Sequence, residues 1–142
     1  MNKYAEMKKR HQEEVNQLPL GFAFNNKQFE EMMAKWGLSP ADTDKICSIG
    51  AGGYVQEKDL LLLCQTLERH SEERDAAIAE DKTGDRFIYQ MFLTELSNHE
   101  YNWTGNPEET LDALGYTWEQ VQADAKLLRG FEKAHNRLIG GT

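Results

Sequence analysis

The sequence holds only two cysteines, Cys47 and Cys64, in no paired spacing, which excludes a disulfide framework. Both are expected to stay reduced and to behave as small buried hydrophobes. Three prolines are too few for a linker-like chain. The longest apolar run, Leu60–Cys64, has five residues, far short of the ~18 that span a membrane. Met1–Arg10 is polar and charged, without the apolar centre of a secretory signal. A cytoplasmic location is therefore expected, and the Asn102-Trp103-Thr104 sequon is read as chance. Positive charge is also scarce. Sixteen Lys+Arg face 24 Asp+Glu, giving a formal charge of −8 and a pI near 5.0. That balance argues against direct binding of nucleic acid or of an anionic membrane, both of which need a cationic face. The deficit is local. Between Arg86 and Lys126 there is no lysine or arginine, while Glu95, Glu100, Glu108, Glu109, Asp112, Glu119 and Asp124 are all acidic.

What is present is helical periodicity. The 142 residues have a globular composition, 39% hydrophobic and 28% charged, and a chain of this length buries enough surface to fold without metals or disulfides. Tyr4, Met7, His11, Val15 and Leu18 form one stripe, stopped by Pro19 and Gly21. Phe22-Ala23-Phe24 reads as a short extended piece. Asn25 or Asn26 caps a helix carrying Phe29, Met32, Met33 and Trp36, which ends at Gly37. Ser39-Pro40-Ala41-Asp42 signals the start of another short helix. Tyr54-Val55 is expected to pair with Phe22–Phe24. A long helix is predicted over about 57–80, with its polar half, Glu68–Asp75, in solvent, and another over about 85–101, followed by a loop to Asn106. Pro107 and Glu108 open a helix that stops at Gly115. Thr117 and Gln120 form a capping box, and Trp118 and Val121 turn inward. Asp124 caps a last helix with the stripe Leu127, Leu128, Phe131, His135 and Leu138. The fold expected is mainly α: a single compact domain over 1–142 of about six helices with a short two-stranded β piece, residues 139–142 forming a frayed tail.

Several stretches invite a functional reading. Gly50-Ala51-Gly52-Gly53 lacks both the Gly-x-Gly-x-x-Gly spacing of a dinucleotide site and the Gly-Lys-Ser/Thr ending of a phosphate loop, and reads as a tight turn. Residues 108 onward match a helix-turn-helix in length, but the second helix opens Trp118-Glu119-Gln120 and would repel phosphates. Glu95 and His99 stand four residues apart near the centre of the apolar face made by Phe87, Ile88, Met91, Phe92 and Leu96. A carboxylate in that position must be paired or protonated. The pair reads either as a structural tie or as part of a metal or acid–base site, with His70, Asp85 or His11 as third group. Finally, the base-free stretch interleaves its acids with Phe87, Tyr89, Phe92, Tyr101, Trp103, Tyr116 and Trp118. Carboxylates can steer a basic protein surface and aromatics can anchor it.

The stretches LPLGFAFNNKQFEEMM, DTDKICSIGAGGYVQEKD, GDRFIYQMFLTELSNHEY and ETLDALGYTWEQVQAD resemble a family of small uncharacterised proteins encoded in genomes, prophages and conjugative elements of gut bacteria. The resemblance covers nearly the whole chain, and Ala51-Gly52-Gly53 and Asn98-His99-Glu100-Tyr101 are its landmarks. No catalytic motif comes with it. It implies a mobile-element context, in which small acidic proteins such as anti-CRISPR proteins disable host defence factors. The leading expectation is a non-enzymatic inhibitor without cofactor or metal. It would block a basic, nucleic-acid-binding surface of a host protein through Glu100, Tyr101, Trp103, Glu108, Glu109, Asp112 and Glu119. The alternatives are a small metal-dependent enzyme using Glu95 and His99, and a helical interaction module without inhibitory role.

Overall fold

A computed structural model describes residues 2–140. They form eight α-helices and a three-stranded antiparallel sheet, against the six helices and two strands expected. The elements are α1 (Lys3–Asn16), β1 (Leu20–Phe22), α2 (Asn26–Lys35), β2 (Ile46–Gly50), β3 (Gly53–Gln56), α3 (Leu60–Glu80), α4 (Phe87–Asn98), α5 (Tyr101–Thr104), α6 (Glu108–Leu114), α7 (Trp118–Ala123) and α8 (Ala125–His135). A π-helical turn, Asn136–Gly140, follows α8. Ile139 and Gly140 of the expected tail lie in that turn, and Gly141 and Thr142 fall outside the described residues. No helix among the described residues is long and apolar enough to cross a membrane. The chain divides into two compact units, residues 11–71 and residues 2–10 with 72–140.

In the unit 11–71 the strand order is β1-β3-β2. The expected pairing exists but starts two residues earlier: Leu20 faces Val55 and Phe22 faces Gly53. Ala23 still donates to the Gly52 carbonyl, whereas the Phe24 amide is taken by the Gln28 side chain. The helix expected after Asp42 is a correction. Asp42 accepts from the Ser39 amide at 2.8 Å, closing a turn, and only one 3-10 turn, Thr43–Lys45, follows. Ile46-Cys47-Ser48-Ile49 then forms β2, as its β-branched residues favour. Gly50, Ala51 and Gly52 all take positive φ and close the β2–β3 hairpin. Asn25 caps α2, and Gly37 ends it in the left-handed conformation. Met32 and Met33 pack with Ala23, Phe29, Trp36 and Tyr54.

The α3 helix departs from its expected polarity. Leu61, Leu62 and Leu67 are exposed, as is Cys64, while Leu63, Thr66 and His70 are buried. His70 thus leaves the polar half that was expected wholly in solvent. It stacks on His11 at 3.8 Å between centroids and bonds Glu14 at 2.7 Å. Hydrogen bonds from Arg69 and His70 hold the Glu14 carboxyl down to about 2.

The unit 2–10 with 72–140 is built on α4. Ile88, Met91, Phe92 and Leu96 lose all solvent contact, each worth ~1.5–3 kcal/mol on burial. Around them lie Tyr4, Leu111, Leu114, Val121, Leu127 and Phe131. Phe131 meets the rings of Phe92, Tyr101 and Trp118 edge-on at 5.4, 6.2 and 5.1 Å. Asp124 and the Thr117–Gln120 box cap α8 and α7 as the sequence indicates. The helix expected over 85–101 breaks: Glu100 takes φ +58, so the chain turns and Tyr101 enters the core at the start of α5.

The start of α4 is held by Asp81, whose role the sequence reading missed. Only 4% exposed, its carboxylate accepts from the amides of Thr83, Gly84, Arg86 and Ile88 at 2.9–3.3 Å. Burial pushes its carboxyl up, and the backbone hydrogen bonds outweigh this, holding it below the usual range. Here α4 and α8 approach closely. A Cβ on Gly130 would stand 2.5 Å from Ile88 Cγ2 and 2.9 Å from the Gly84 oxygen. One on Gly84, where φ is +91, would run into the Lys126 carbonyl.

Asp81→Ala is expected to cost about 2–4 kcal/mol of unfolding free energy, because four buried or half-buried donors lose a charged acceptor. Its lowered pKa means this contribution is full above the unfolded carboxyl pKa of ~3.9 and fades as pH falls through the lower folded value. Denaturant melts of parent and variant at pH 7 and pH 3 check both statements. A difference under ~0.5 kcal/mol at pH 7, or one that grows on acidification, would contradict them.

Candidate functional site

The base-free stretch lies in the unit 2–10 with 72–140, and its seven acids divide by environment. Two have structural work. Glu95 is 4% exposed; Lys8 donates to it, and its charge lies close enough to the Tyr4 hydroxyl to act on it. Burial, then the Glu95 charge, raises the Tyr4 pKa, so this hydroxyl keeps its proton. Thr110 donates to the Glu95 carbonyl at 3.2 Å. Asp124 accepts from the Lys126 and Leu127 amides at the start of α8.

The other five, Glu100, Glu108, Glu109, Asp112 and Glu119, are exposed, and none pairs with a lysine or arginine among the described residues. On α6 the buried residues are Thr110, Leu111 and Leu114. At ~100° per residue Glu108, Asp112 and Glu109 fall together on the opposite, solvent face. Glu109 stands 3.6 Å from His99 Nδ1. Glu100 precedes α5 and Glu119 lies in the first turn of α7. Four cations of the same unit are directed elsewhere: Lys8 to Glu95, Arg10 to Glu73 at 2.5 Å, Arg129 to Asp85 at 2.6 Å, and Lys133 to the Asp85 carbonyl and the Tyr89 ring.

The two expected aromatic anchors separate. Trp103 is 85% exposed, a large apolar surface left in water. Tyr101 is buried, its hydroxyl 2.8 Å from His135 Nδ1, so it is not an open anchor beside Trp103. Trp118 is 38% exposed and only Val121 of that pair turns fully inward.

Glu95 and His99 are brought near each other, with 3.8 Å between Oε2 and Nε2, longer than a hydrogen bond. The third groups considered for them are engaged elsewhere: Asp85 with Arg129, and His11 and His70 with each other in the other unit. No group of three or more His, Cys, Asp or Glu among the described residues is placed to hold a metal ion. The chemistry evident at Glu95 is that of a buried carboxylate paired with a half-exposed lysine. Sequence reading could not find Lys8, which lies 87 positions away.

If Glu95 is a structural tie, Glu95→Ala should cost about 1–2 kcal/mol, since the half-exposed Lys8 loses its acceptor and a buried side chain is cut back. His99→Ala, at a half-buried position with long contacts, should cost under ~1 kcal/mol. Denaturation of both variants measures this, and the reverse order would contradict it.

No curated protein and no solved structure matches the chain. A family model described as a family of unknown function (DUF7659) matches residues 3–137. The chain therefore belongs to this DUF7659 family, whose function is unknown.

Proposed function

We propose that the protein is a non-enzymatic binder of a basic protein surface, one that otherwise holds nucleic acid phosphates. The observation that carries this reading is the set of five exposed carboxylates without a lysine or arginine partner, in the same unit as the exposed Trp103. Ordinary solvated surfaces intersperse the two signs. Here the acids of α6 share one face, while Arg129, Lys8 and Arg10 are drawn into Asp85, Glu95 and Glu73. Such a field accelerates encounter with a cationic groove and disfavours anionic partners. The Trp103 ring, with its large area and few rotatable bonds, supplies the apolar contact that long-range charge cannot. By analogy with small acidic inhibitors of mobile elements, the partner is a defence protein and the effect is occlusion of its nucleic-acid site.

The test is capture of partners by the full-length protein from its native cells, followed by association kinetics with the protein identified. Reversing Glu108, Glu109 and Asp112 to Lys should slow association by about tenfold or more at low salt, and nucleic acid should compete for the partner. Unchanged association of the triple variant, or simultaneous binding of nucleic acid and this protein, would defeat the proposal.

A further inference from the structure

Beside this surface, in the same unit, Tyr101, Trp118, Leu128, Phe131, Glu132 and His135 line an open groove of about 410 Å³, at the small end of the ~300–1,000 Å³ typical of ligand sites. Aromatic and aliphatic groups form most of it, with the Gln122 amide at one side, Trp118 set edge-on against Phe131 and the Tyr101 ring fixed by its hydroxyl bond to His135. Its one carboxylate is Glu132, exposed and without a cation among the described residues. The sequence of α8 explains why. At ~100° per residue Leu128, Phe131, Glu132 and His135 fall in one arc of about 100°, and Lys126, Arg129 and Lys133 fall on the other side. There Arg129 pairs with Asp85, while Lys133 donates to the Asp85 carbonyl at 3.3 Å and lies 4.4 Å from the centroid of Tyr89. The helix's own cations are thus turned from the groove, and no lysine or arginine lines it.

We propose that this groove receives an arginine side chain of the partner protein. The inference rests on the reading of the protein as a binder of basic surfaces and names the residue that its docking site takes. An arginine has the matching anatomy: an apolar stem for Leu128 and Phe131, a planar guanidinium that stacks on an indole face, and a fork of donors for the Glu132 carboxylate. A lysine shares the stem and the charge but lacks the plane, and an acidic or neutral side chain lacks the charge.

The experiment is a titration of the isotopically labelled full chain with acetyl-Gly-Gly-Arg-Gly-Gly-amide, followed by the indole resonance of Trp118 and the methyl resonances of Leu128. Matched peptides carry Lys, citrulline or Glu in place of Arg. The arginine peptide should give saturable shifts with a Kd on the order of 1 mM. The lysine peptide should bind about threefold or more weakly, and the citrulline and glutamate peptides should leave both residues unmoved. Glu132→Gln, an exposed change that leaves the core intact, should weaken the arginine peptide about threefold, and Glu132→Lys should abolish its effect. A silent Trp118, or equal shifts from arginine and citrulline, would overturn the inference. The two proposals fail separately. Groove shifts together with unaltered partner association in the α6 triple reversal would leave the arginine site standing and remove the steering role. Slowed association with a silent Trp118 would do the opposite.

Discussion

Four backbone amides converge on the Asp81 carboxylate, and the unit 2–10 with 72–140 follows from that convergence. The turn it stabilises carries Gly84, whose positive φ and missing Cβ let α8 lie against the start of α4. Gly130 provides the same clearance from the other side. With the two helices this close, Phe131 reaches Phe92 on one flank and Tyr101 and Trp118 on the other. The aromatic groove is the outward side of that cluster. A carboxylate that accepts from backbone amides therefore sets the position of side chains roughly fifty residues further along the chain.

The same geometry sorts charge. Asp85, four residues beyond Asp81, takes Arg129 and the Lys133 ammonium, and the Arg129 hydrogen bond holds its carboxyl below the usual range. Glu95 takes Lys8. Lys8, Arg129 and Lys133 are thus engaged in tying α1, α4 and α8 together. What remains unpaired on α5–α7 is a set of exposed carboxylates, together with the exposed indoles of Trp103 and Trp118. Glu108 and Glu109 favour the start of α6 through the helix dipole, worth a few tenths of a kcal/mol, a small task beside those of Glu95 and Asp124.

Local chemistry was legible in the sequence. Asn25, Gly37, Gly115, Thr117 with Gln120, and Asp124 each act where a cap or stop must act, because those bonds span two to four residues. The pairing of the segment near Phe22 with Tyr54-Val55 was legible too, although its register was not, since the Gln28 side chain competes for the Phe24 amide. What escaped depends on distant partners. Ile46–Ile49 became a strand because β3 lies beside it. The break at Glu100 follows from the burial of Tyr101, whose hydroxyl bonds a histidine 34 positions on. Of the candidate site, the five acids and Trp103 are exposed, as a docking surface requires, but Tyr101 is not. The groove joins residues of three elements and has no sequence signature. Asp81 had a faint one, an Asp three residues before a Gly at the mouth of a helix.

Long-range attraction between the exposed carboxylates and a cationic partner is what the proposed docking requires. The association rate with the captured partner, measured as sodium chloride rises from ~20 to ~300 mM, tests it most directly. A fall of about tenfold or more in the on-rate, with little change in the off-rate, is the predicted result. An on-rate indifferent to salt would contradict the central claim.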